Sequence, residues 1–339
     1  MKILIDAFGG DNSPAEVIAG TVLAVNERKG FTAELVGDEQ KINDLLKTYK
    51  YDKQRITVLH APDVITCEEE PTVAIRKKPQ SSICVAFKEL KENEDAKAFV
   101  SAGSTGAVLV GATLKLGRIQ GVNRPALCPL MPTVIDGKKV LLLDCGANAD
   151  CKSINLCQFA LMGVAYAESI GVKNPKVALL SNGTEDEKGN ALNHEVFPLL
   201  KQMNINFVGN MEARDILSGE YDVIVSDGFS GNIGLKSLEG AIKNVLKLMK
   251  QGIYSSLRGK IGGLFLKKTM KNLAKRLDYS KMGGALFIGV NKPVIKPHGS
   301  SDRDAFKAAV LQAVDYAGFN ISDRIKEKLE DPANQVVNV

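Results

Sequence analysis

Short apolar runs alternate along the chain with longer stretches whose apolar residues recur at helical spacing. Eight of the runs have the length and β-branched content typical of buried parallel strands. The predicted strands are Lys2–Asp6, Ala33–Gly37, Ile56–Leu59, Ala98–Ser101, Val140–Asp144, Lys176–Ser181, Ile205–Val208 and Asp222–Ser226. The predicted helices are Ala15–Arg28, Lys41–Lys47, Ser82–Asn93, Gly106–Leu116, Asn155–Ile170, Leu192–Met203, Gly231–Lys250 and Arg303–Ala317. This alternation indicates an α/β fold of parallel βαβ units with helices on both sheet faces.

Polar turns, most of which contain glycine, follow six of the predicted strands. They are residues 6–14, 101–106, 144–148, 181–185, 209–212 and 226–232. Ligands collect beyond the carboxyl ends of parallel strands. We therefore expect the six turns to meet at one sheet edge and to form a large polar cleft.

The stretch from Tyr221 to Lys236 joins one such strand to a helix through small residues. Unpaired N–H groups and the helix dipole favour an anion at a helix N-terminus, and small residues let a ligand approach the backbone. The stretch therefore has two interpretations. It is either an anion pocket or an ordinary connection in which Asp and Ser side chains cap the helix.

The apolar spacing and basic composition of residues 240–281 predict a basic helical hairpin. We expect it to project from a single α/β domain that spans 1–339. Apolar residues at helical spacing form the first arm, and a glycine-containing break precedes a second helical pattern. The tip would carry four apolar side chains ringed by lysines: Ile261, Leu264, Phe265 and Leu266. Such a tip suits an anionic membrane surface, an acidic partner protein or a dimer mate.

The chain has 339 residues, of which 45% are hydrophobic and 24% charged, as in a globular protein. Its net charge is +5, yet residues 240–281 carry eleven Lys and Arg against one acid, so the basicity is local. No apolar run approaches the ~20 residues that a membrane span needs. The N-terminus enters a strand directly, which predicts a cytoplasmic protein without a signal peptide. Six cysteines without a CxxC pair predict reduced thiols.

Several common motifs are missing from the sequence: the G-x-G dinucleotide fingerprint, the Walker loop, H-E-x-x-H and G-x-S-x-G. The three histidines are far apart, which argues against a histidine metal site or a catalytic triad. We expect no metal, no other cofactor and no nucleic-acid partner. His60 and His194 are predicted to be surface or capping residues. His298 lies in a cationic, glycine-containing turn, which favours a functional role.

Nine motifs, in order and spacing, resemble those of the bacterial phosphate acyltransferase family, the acyl-acyl carrier protein:phosphate transacylases. They are DAFGGDNSP (6–14), RKKPQSS (76–82), SAGSTGA (101–107), DCGAN (144–148), QFALMG (158–163), SNGTEDEKG (181–189), GNMEARD (209–215), SDGFSGN (226–232) and IKPHGSS (295–301). The similarity runs from Met1 to about Leu311.

The resemblance implies a three-layer α/β/α Rossmann-like sandwich with a mostly parallel sheet, related to isocitrate dehydrogenases and phosphotransacetylases. It implies a homodimer peripherally associated with the inner face of the cell membrane. It also implies synthesis of acyl phosphate from long-chain acyl carrier protein thioesters and inorganic phosphate, the first step towards phosphatidic acid. The product would pass to a membrane glycerol-3-phosphate acyltransferase.

This reaction needs an anion site for phosphate, donors for the thioester oxyanion and a proton for the departing thiolate. The phosphate-binding residues are predicted to be Ser104, Thr105 and Gly106, assisted by Lys188 or Lys296. The oxyanion would be held by Asn148, Asn232 and the Gly231 N–H. His298 or Asp227 would manage the proton.

Three successive cations, Arg76, Lys77 and Lys78, have two interpretations. They would bind the acidic carrier protein or the phosphopantetheine phosphate, or they form a solvated face. Glu239, one turn after Lys236, is predicted to be its ion-pair partner.

Three alternative functions remain open from the sequence. A short-chain phosphotransacylase using coenzyme A differs only in its donor. A metal-dependent decarboxylating dehydrogenase would need an acidic cluster and a nucleotide site, and we find neither. A non-enzymatic membrane-docking scaffold would explain residues 240–281 but leaves the polar turns unexplained.

Overall fold

The computed structural model describes residues 1–277 and 282–335, with the side chains of 272 and 274–277 left aside. The strands in this part of the chain form two sheets. The first sheet has the spatial order β3 (Ile56–His60), β2 (Thr32–Gly37), β1 (Lys2–Asp6), β4 (Ala96–Val100), β12 (Val294–Lys296), β11 (Ala285–Ile288) and β5 (Ala126–Cys128). The second has the order β6 (Leu130–Pro132), β7 (Lys139–Leu143), β10 (Val223–Val225), β8 (Lys176–Ser181) and β9 (Asn206–Glu212).

Parallel pairing dominates both sheets, as the sequence predicts. The antiparallel pairs among the described strands are β11 with β12, β11 with β5, and β6 with β7. The central strands are apolar on both faces because helices cover both sides. In β10, for example, Val223, Ile224 and Val225 are all buried.

The helices in the described residues are α1 (Ala15–Glu27), α2 (Glu39–Leu46), α3 (Pro71–Lys77), α4 (Ser82–Glu92), α5 (Thr105–Gly111), α6 (Ser153–Ser169), α7 (Ala191–Gln202), α8 (Gly228–Tyr254), α9 (Leu257–Leu277), α10 (Arg303–Gly318) and α11 (Ile321–Glu330). Helix α6 is apolar almost all round and is buried along most of its length. Tyr166 of α6 packs edge-on against Tyr316 of α10, with ring centroids 5.3 Å apart. One apolar core therefore runs continuously from the first sheet to the second.

All eight predicted strands are present, but they are divided between two sheets. The expectation that six turns share one sheet edge is therefore wrong. The turns after β1 and β4 belong to the first sheet, and those after β7, β8 and β10 belong to the second, whereas the predicted turn 209–212 is part of strand β9. The division depends on short strands that the pattern missed, chiefly β5 and β6, which Pro129 separates where the chain passes between the sheets.

The predicted hairpin exists, but its turn lies at Ser255 and Ser256 and not at the glycines. The Ser256 hydroxyl oxygen accepts a hydrogen bond from the Gly259 N–H at 3.0 Å, so it caps α9. Gly259 and Gly263 lie inside the helix. A Cβ at Gly263 would lie 2.8 Å from the Ile253 side chain, so glycine lets α9 approach the end of α8. No helix within 1–277 and 282–335 is both long and apolar enough to cross a bilayer.

Candidate active site

A cavity of about 350 Å³ lies between the two sheets, and we call it the central cavity. It brings together the start of α5, the turn after β7, one face of α8 and the turn after β12. Its polar lining side chains are Thr105, Asn232, Lys236, Glu239, Lys296 and His298. These six residues come from three separate segments of the chain, so the fold creates the cluster.

The turns after β1, β4 and β12 are fixed to one another by hydrogen bonds. Asp6, buried at the end of β1, accepts a hydrogen bond from the Ser101 hydroxyl at 2.6 Å. Burial raises the pKa of this carboxyl. The Asp11 N–H donates to the Gly299 carbonyl at 2.8 Å, and the Asn12 amide donates to the Ser300 carbonyl at 3.1 Å. Asp6 thus has a supporting role, and the turn that carries His298 is held in place.

Lys296 ends β12 and is 9% exposed. Its Nζ donates to the carbonyls of Pro297 at 2.7 Å and Ala102 at 3.3 Å. Burial lowers the pKa of Lys296 to about 8, while nearby acids, Asp11 and Asp6 among them, oppose the shift. The amine is therefore mostly protonated at neutral pH, and it is a cation that little water screens. These properties suit an anion-binding group, as predicted.

His298 lies on the rim of the central cavity. Its Nδ1 accepts a hydrogen bond from the Ser300 N–H at 3.2 Å and is 2.8 Å from the Ser300 hydroxyl. Because Nδ1 is an acceptor, the neutral ring carries its proton on Nε2. Partial burial and the cations Lys236 and Lys296 lower the pKa of His298. The ring is therefore a neutral Nε2–H donor at physiological pH.

Helix α8 presents Asn232, Lys236 and Glu239 to the central cavity. Their spacing places them on one helix face. Lys236 forms the predicted ion pair with Glu239 at 3.1 Å. Asn232 packs on Gly146, where a Cβ would lie 3.5 Å from its Cγ. The side-chain amide thus stands at the cavity wall beside two lysines.

The N-terminus of α8 is capped and does not form the anion pocket that one interpretation predicted. Asp227 accepts a hydrogen bond from the Ser230 N–H at 2.8 Å. The Gly228 N–H donates to the Asn148 carbonyl at 2.8 Å, and the Gly231 N–H donates to the Asp227 carbonyl at 3.0 Å. These donors are already occupied. The capping interpretation therefore fits the structure, and the proposed oxyanion role of the Gly231 N–H and the proton-transfer role of Asp227 do not.

Asn148 also has a supporting position. Its side-chain nitrogen donates to the Pro125 carbonyl at 2.8 Å and to Asp144 Oδ2 at 2.9 Å. Both amide protons are thereby used, and Asn148 is absent from the cavity lining. We correct the predicted direct role: Asn148 positions the turn after β7 against α8.

A substitution at Gly231 tests the close packing of α8 against the turn after β7. A Cβ there would collide with the Asp144 carbonyl oxygen. We expect Gly231→Ala to lower the free energy of unfolding by about 1–3 kcal/mol or more, as overpacking does. On the same helix, Gly240 has no atom within 4 Å of an added Cβ, so Gly240→Ala is the matched control. It should raise stability by up to ~1 kcal/mol. Urea unfolding of both variants measures the difference, and equal midpoints would contradict the packing argument.

The start of α5 completes the central cavity. Ser104 caps this helix and is buried, whereas Thr105 lines the cavity. A Cβ at Gly106 would lie 2.6 Å from Pro71, the first residue of α3. Of the three predicted phosphate residues here, Thr105 is therefore the one whose side chain faces the cavity.

Sequence comparison identifies the family of this chain. Residues 1–324 match the family described as "Fatty acid synthesis protein". The phosphate acyltransferase of Clostridium novyi is 50% identical over 333 residues, which is 97% of this chain and 99% of that protein. The phosphate acyltransferase of Bacillus cereus strain B4264 is 44% identical and covers 99% of this chain and 100% of its own. The chain belongs to the phosphate acyltransferase family.

The fold of this phosphate acyltransferase is found in solved structures of low sequence identity. A phosphotransacetylase from Streptococcus pyogenes superposes with a TM-score of 0.62 at 17% identity, covering 96% of this chain and 94% of its own. A branched-chain phosphotransacylase from Enterococcus faecalis superposes with a TM-score of 0.57 at 13% identity, covering 94% and 100%. The predicted Rossmann-like α/β fold of the phosphotransacetylase type is confirmed.

Other predicted site residues of the phosphate acyltransferase lie away from the central cavity. Lys188 is exposed beside a separate cavity of about 690 Å³, the lateral cavity, on the other side of α8. Arg76 and Lys77 are exposed at the end of α3. Lys78 is paired with Glu69 at 2.8 Å, so it belongs to the local structure and not to the free basic surface.

The sequence prediction missed Lys236 as a site residue. The sequence did contain the information needed to predict it. Asn232 and Lys236 are four residues apart on a predicted helix, so their side chains must share one helix face. The apolar side of the cavity, which includes Leu127, Leu130 and Met282, gave no such signal. Those residues belong to short strands or loops without helical or strand periodicity.

Proposed function

We propose that this phosphate acyltransferase transfers a long-chain acyl group from acyl carrier protein to inorganic phosphate. The observation that carries the proposal is the central cavity, which is lined by the buried Lys296 and by Asn232, His298 and the ion pair of Lys236 with Glu239. Its relatives are named phosphate acyltransferase. A lysine in a partly enclosed cavity attracts an anion more strongly than it would in open water. The Thr105 hydroxyl adds a hydrogen-bond donor.

Hydrogen phosphate is its own nucleophile in this mechanism. A phosphate oxygen bonds to the thioester carbonyl carbon, the carbon–sulfur bond breaks, and the phosphate proton ends on the departing sulfur. The products are acyl phosphate and the free carrier thiol, so atoms and charges balance without a further reagent. The protein contributes mainly by holding the two reactants together and by stabilising charge as it moves.

The oxyanion and the leaving sulfur need separate donors. Asn232 supplies a side-chain N–H for the carbonyl oxygen as it becomes negative. His298 donates a hydrogen bond from its Nε2–H to the sulfur, which stabilises the developing thiolate until the phosphate proton reaches it. Of the two residues predicted to manage the proton, His298 is the one at the cavity, since Asp227 caps α8.

Acyl carrier protein would dock beside α3. Arg76 and Lys77 are exposed cations on this helix, and its first residue, Pro71, packs against α5 at the edge of the central cavity. An acidic carrier held there would present its thioester close to Thr105.

The donor is tested by comparing two substrates under matched conditions. Purified protein with phosphate should release the carrier thiol from palmitoyl-acyl carrier protein and should react much more slowly with acetyl-CoA. A preference for acetyl-CoA would favour the short-chain phosphotransacylase, and turnover of neither donor would remove the proposal. Thiol release without phosphate measures background hydrolysis.

Peripheral membrane association and delivery of the product to a membrane glycerol-3-phosphate acyltransferase belong to the same proposal. Its support is the exposed apolar side of α9, where Leu257, Ile261, Leu264 and Phe265 are 80%, 59%, 69% and 83% exposed. Successive residues of an α-helix are about 100° apart, so these four share one face. Leu266 lies on the opposite face, which argues against the predicted contact of Leu266 with the membrane.

Flotation with anionic liposomes tests this face. Leu264→Glu and Phe265→Glu should each reduce the bound fraction severalfold, because a carboxylate replaces apolar surface and repels the lipid. Leu266→Glu is the matched control, with the same change on the other side of α9, and should retain most of the binding. If all three variants float like the parent protein, α9 is not the membrane contact.

A homodimer is supported by exposed apolar residues on α8. Four apolar side chains of this helix are between 52% and 66% exposed: Phe229, Ile233, Val245 and Leu248. Together they expose more apolar surface than a helix face in water usually does. A second copy of the chain would cover them. A sedimentation mass of one chain at micromolar concentration would refute the dimer.

A further inference from the structure

A second cavity adjoins the central cavity beside α10, and we call it the α10 cavity. Its volume is about 890 Å³, and it lies between the end of α6, the start of β7 and α10. Leu130 and Met282 line both cavities. The two spaces are therefore separated by little more than these two side chains.

One part of the α10 cavity lining is apolar. Ile170, Val172, Leu311 and Phe319 line it as half-buried residues packed on the core. The buried Gln312 has its polar atoms engaged, since its Nε2 donates to the Gly284 carbonyl at 3.0 Å and its Oε1 accepts from the Gly284 N–H at 2.7 Å.

Three of the four charged residues at this cavity form ion pairs, and the fourth, Lys139, is exposed to solvent. Lys138 lies 3.6 Å from Asp222, and Asp315 lies 2.5 Å from Arg28. The apolar part of the lining is therefore available to contact a ligand.

We infer that the α10 cavity holds the acyl chain of the thioester, and that Leu130 and Met282 form the constriction through which the chain leaves the central cavity. This inference rests on the proposed function. A thioester carbon beside Lys296 and Asn232 must direct its long chain out of a space of only about 350 Å³. The α10 cavity falls within the roughly 300–1,000 Å³ typical of small-molecule sites, and it supplies apolar contact. Each methylene buried there would tighten binding roughly fourfold.

The lateral cavity is a poorer receptacle for the chain. It shares no lining residue with the central cavity, so a chain that leaves the central cavity has no direct path into it.

Ala308 provides the test, because it lines the α10 cavity, and a phenyl ring there would occupy the space. We expect Ala308→Phe to lower kcat/KM for palmitoyl-acyl carrier protein roughly a hundredfold, the equivalent of a few methylenes displaced. Butyryl-acyl carrier protein should change less than about twofold, since its chain ends at the constriction. Ala317→Phe, the same change on the same helix outside the cavity lining, should spare both donors. Equal losses for both chain lengths in Ala308→Phe would overturn the inference.

A binding measurement separates this inference from the proposed function. The fluorescent fatty acid cis-parinaric acid should bind the full-length protein, and Ala308→Phe and Val172→Phe should each weaken binding at least roughly tenfold. Val172 lies on a different segment, so one variant remains informative if the other fails to fold. Absence of turnover with every donor would refute the proposed function, whereas the titration would still show whether the α10 cavity binds an acyl chain. Unchanged affinity for the probe in a folded variant would overturn the inference about the α10 cavity.

Discussion

Lys296→Met is expected to lower kcat/KM for phosphate by about two to three orders of magnitude, as the loss of one preorganised charge-stabilising group does. The lysine is 9% exposed, and its Nζ is fixed by two backbone carbonyls. Methionine keeps most of the side-chain length and volume but removes the cation. Initial rates of thiol release across a phosphate series give the effect, most of which should appear in the phosphate KM.

Lys292, two residues before the same strand begins, offers a matched control. Its Nζ also donates to backbone carbonyls, those of Leu90, Asn93 and Ala96. Lys292→Met should therefore lower the free energy of unfolding for the same reason as Lys296→Met, but it should leave the phosphate KM unchanged. If the two variants lose equal activity, the effect of Lys296 is structural and its role as a phosphate ligand is refuted.

The pH dependence of phosphate binding follows from the pKa of Lys296. Burial lowers this pKa to about 8 from an ordinary 10.5. Burial of the protonated amine therefore lowers the free energy of unfolding at every pH below about 8. This destabilisation diminishes as the pH rises from 8 towards 10.5. Phosphate binding has the opposite trend, because the cation disappears over the same range. The thermal stabilisation by phosphate should thus weaken as the pH passes 8, and Lys296→Met should lack this dependence.

Asn232→Ala is expected to lower kcat by about a hundredfold to a thousandfold, or ~3 kcal/mol in the activation barrier. The amide stands at the cavity wall and is proposed to donate to the oxyanion, which forms only along the reaction. The loss should therefore appear in kcat, with little change in the KM for either substrate. Asn232→Asp should be at least as damaging, since a carboxylate can only accept and would repel phosphate.

Asn244→Ala on the exposed surface of α8 is the control for this substitution. This substitution removes the same amide group from the same helix, at a position that does not line the central cavity. The kinetic constants of the variant should therefore match those of the parent protein. Unchanged turnover in Asn232→Ala would remove the residue from the mechanism.

The two variants together separate the substrates. Loss of Lys296 should affect phosphate binding, and loss of Asn232 should affect the rate of the acyl transfer. If both changed only the KM for the acyl donor, the central cavity would be a donor site and not the place where phosphate reacts.

Much of the site was predictable because strand ends and helix spacing are local properties. The residues Thr105, Asn232, Lys296 and His298 were all predicted, and all line one cavity. The assignments of Asn148, Asp227 and the Gly231 N–H were not supported, because a sequence cannot report which donors and acceptors are already paired. Asn148, for example, donates to the carbonyl of Pro125, which lies 23 residues earlier in the chain.

Apolar periodicity, polar turns after strands and the cationic turn at His298 determined the α/β class, the position of most long elements and several of the residues at the cavity. These follow from contacts within about one helical turn or one strand, which the order of residues encodes directly. Only the tertiary structure decided that the strands form two sheets, that α8 is capped at its start and that the α10 cavity adjoins the central one. Those features arise where three-residue strands and buried backbone groups from remote segments meet, and such meetings leave no period in the chain.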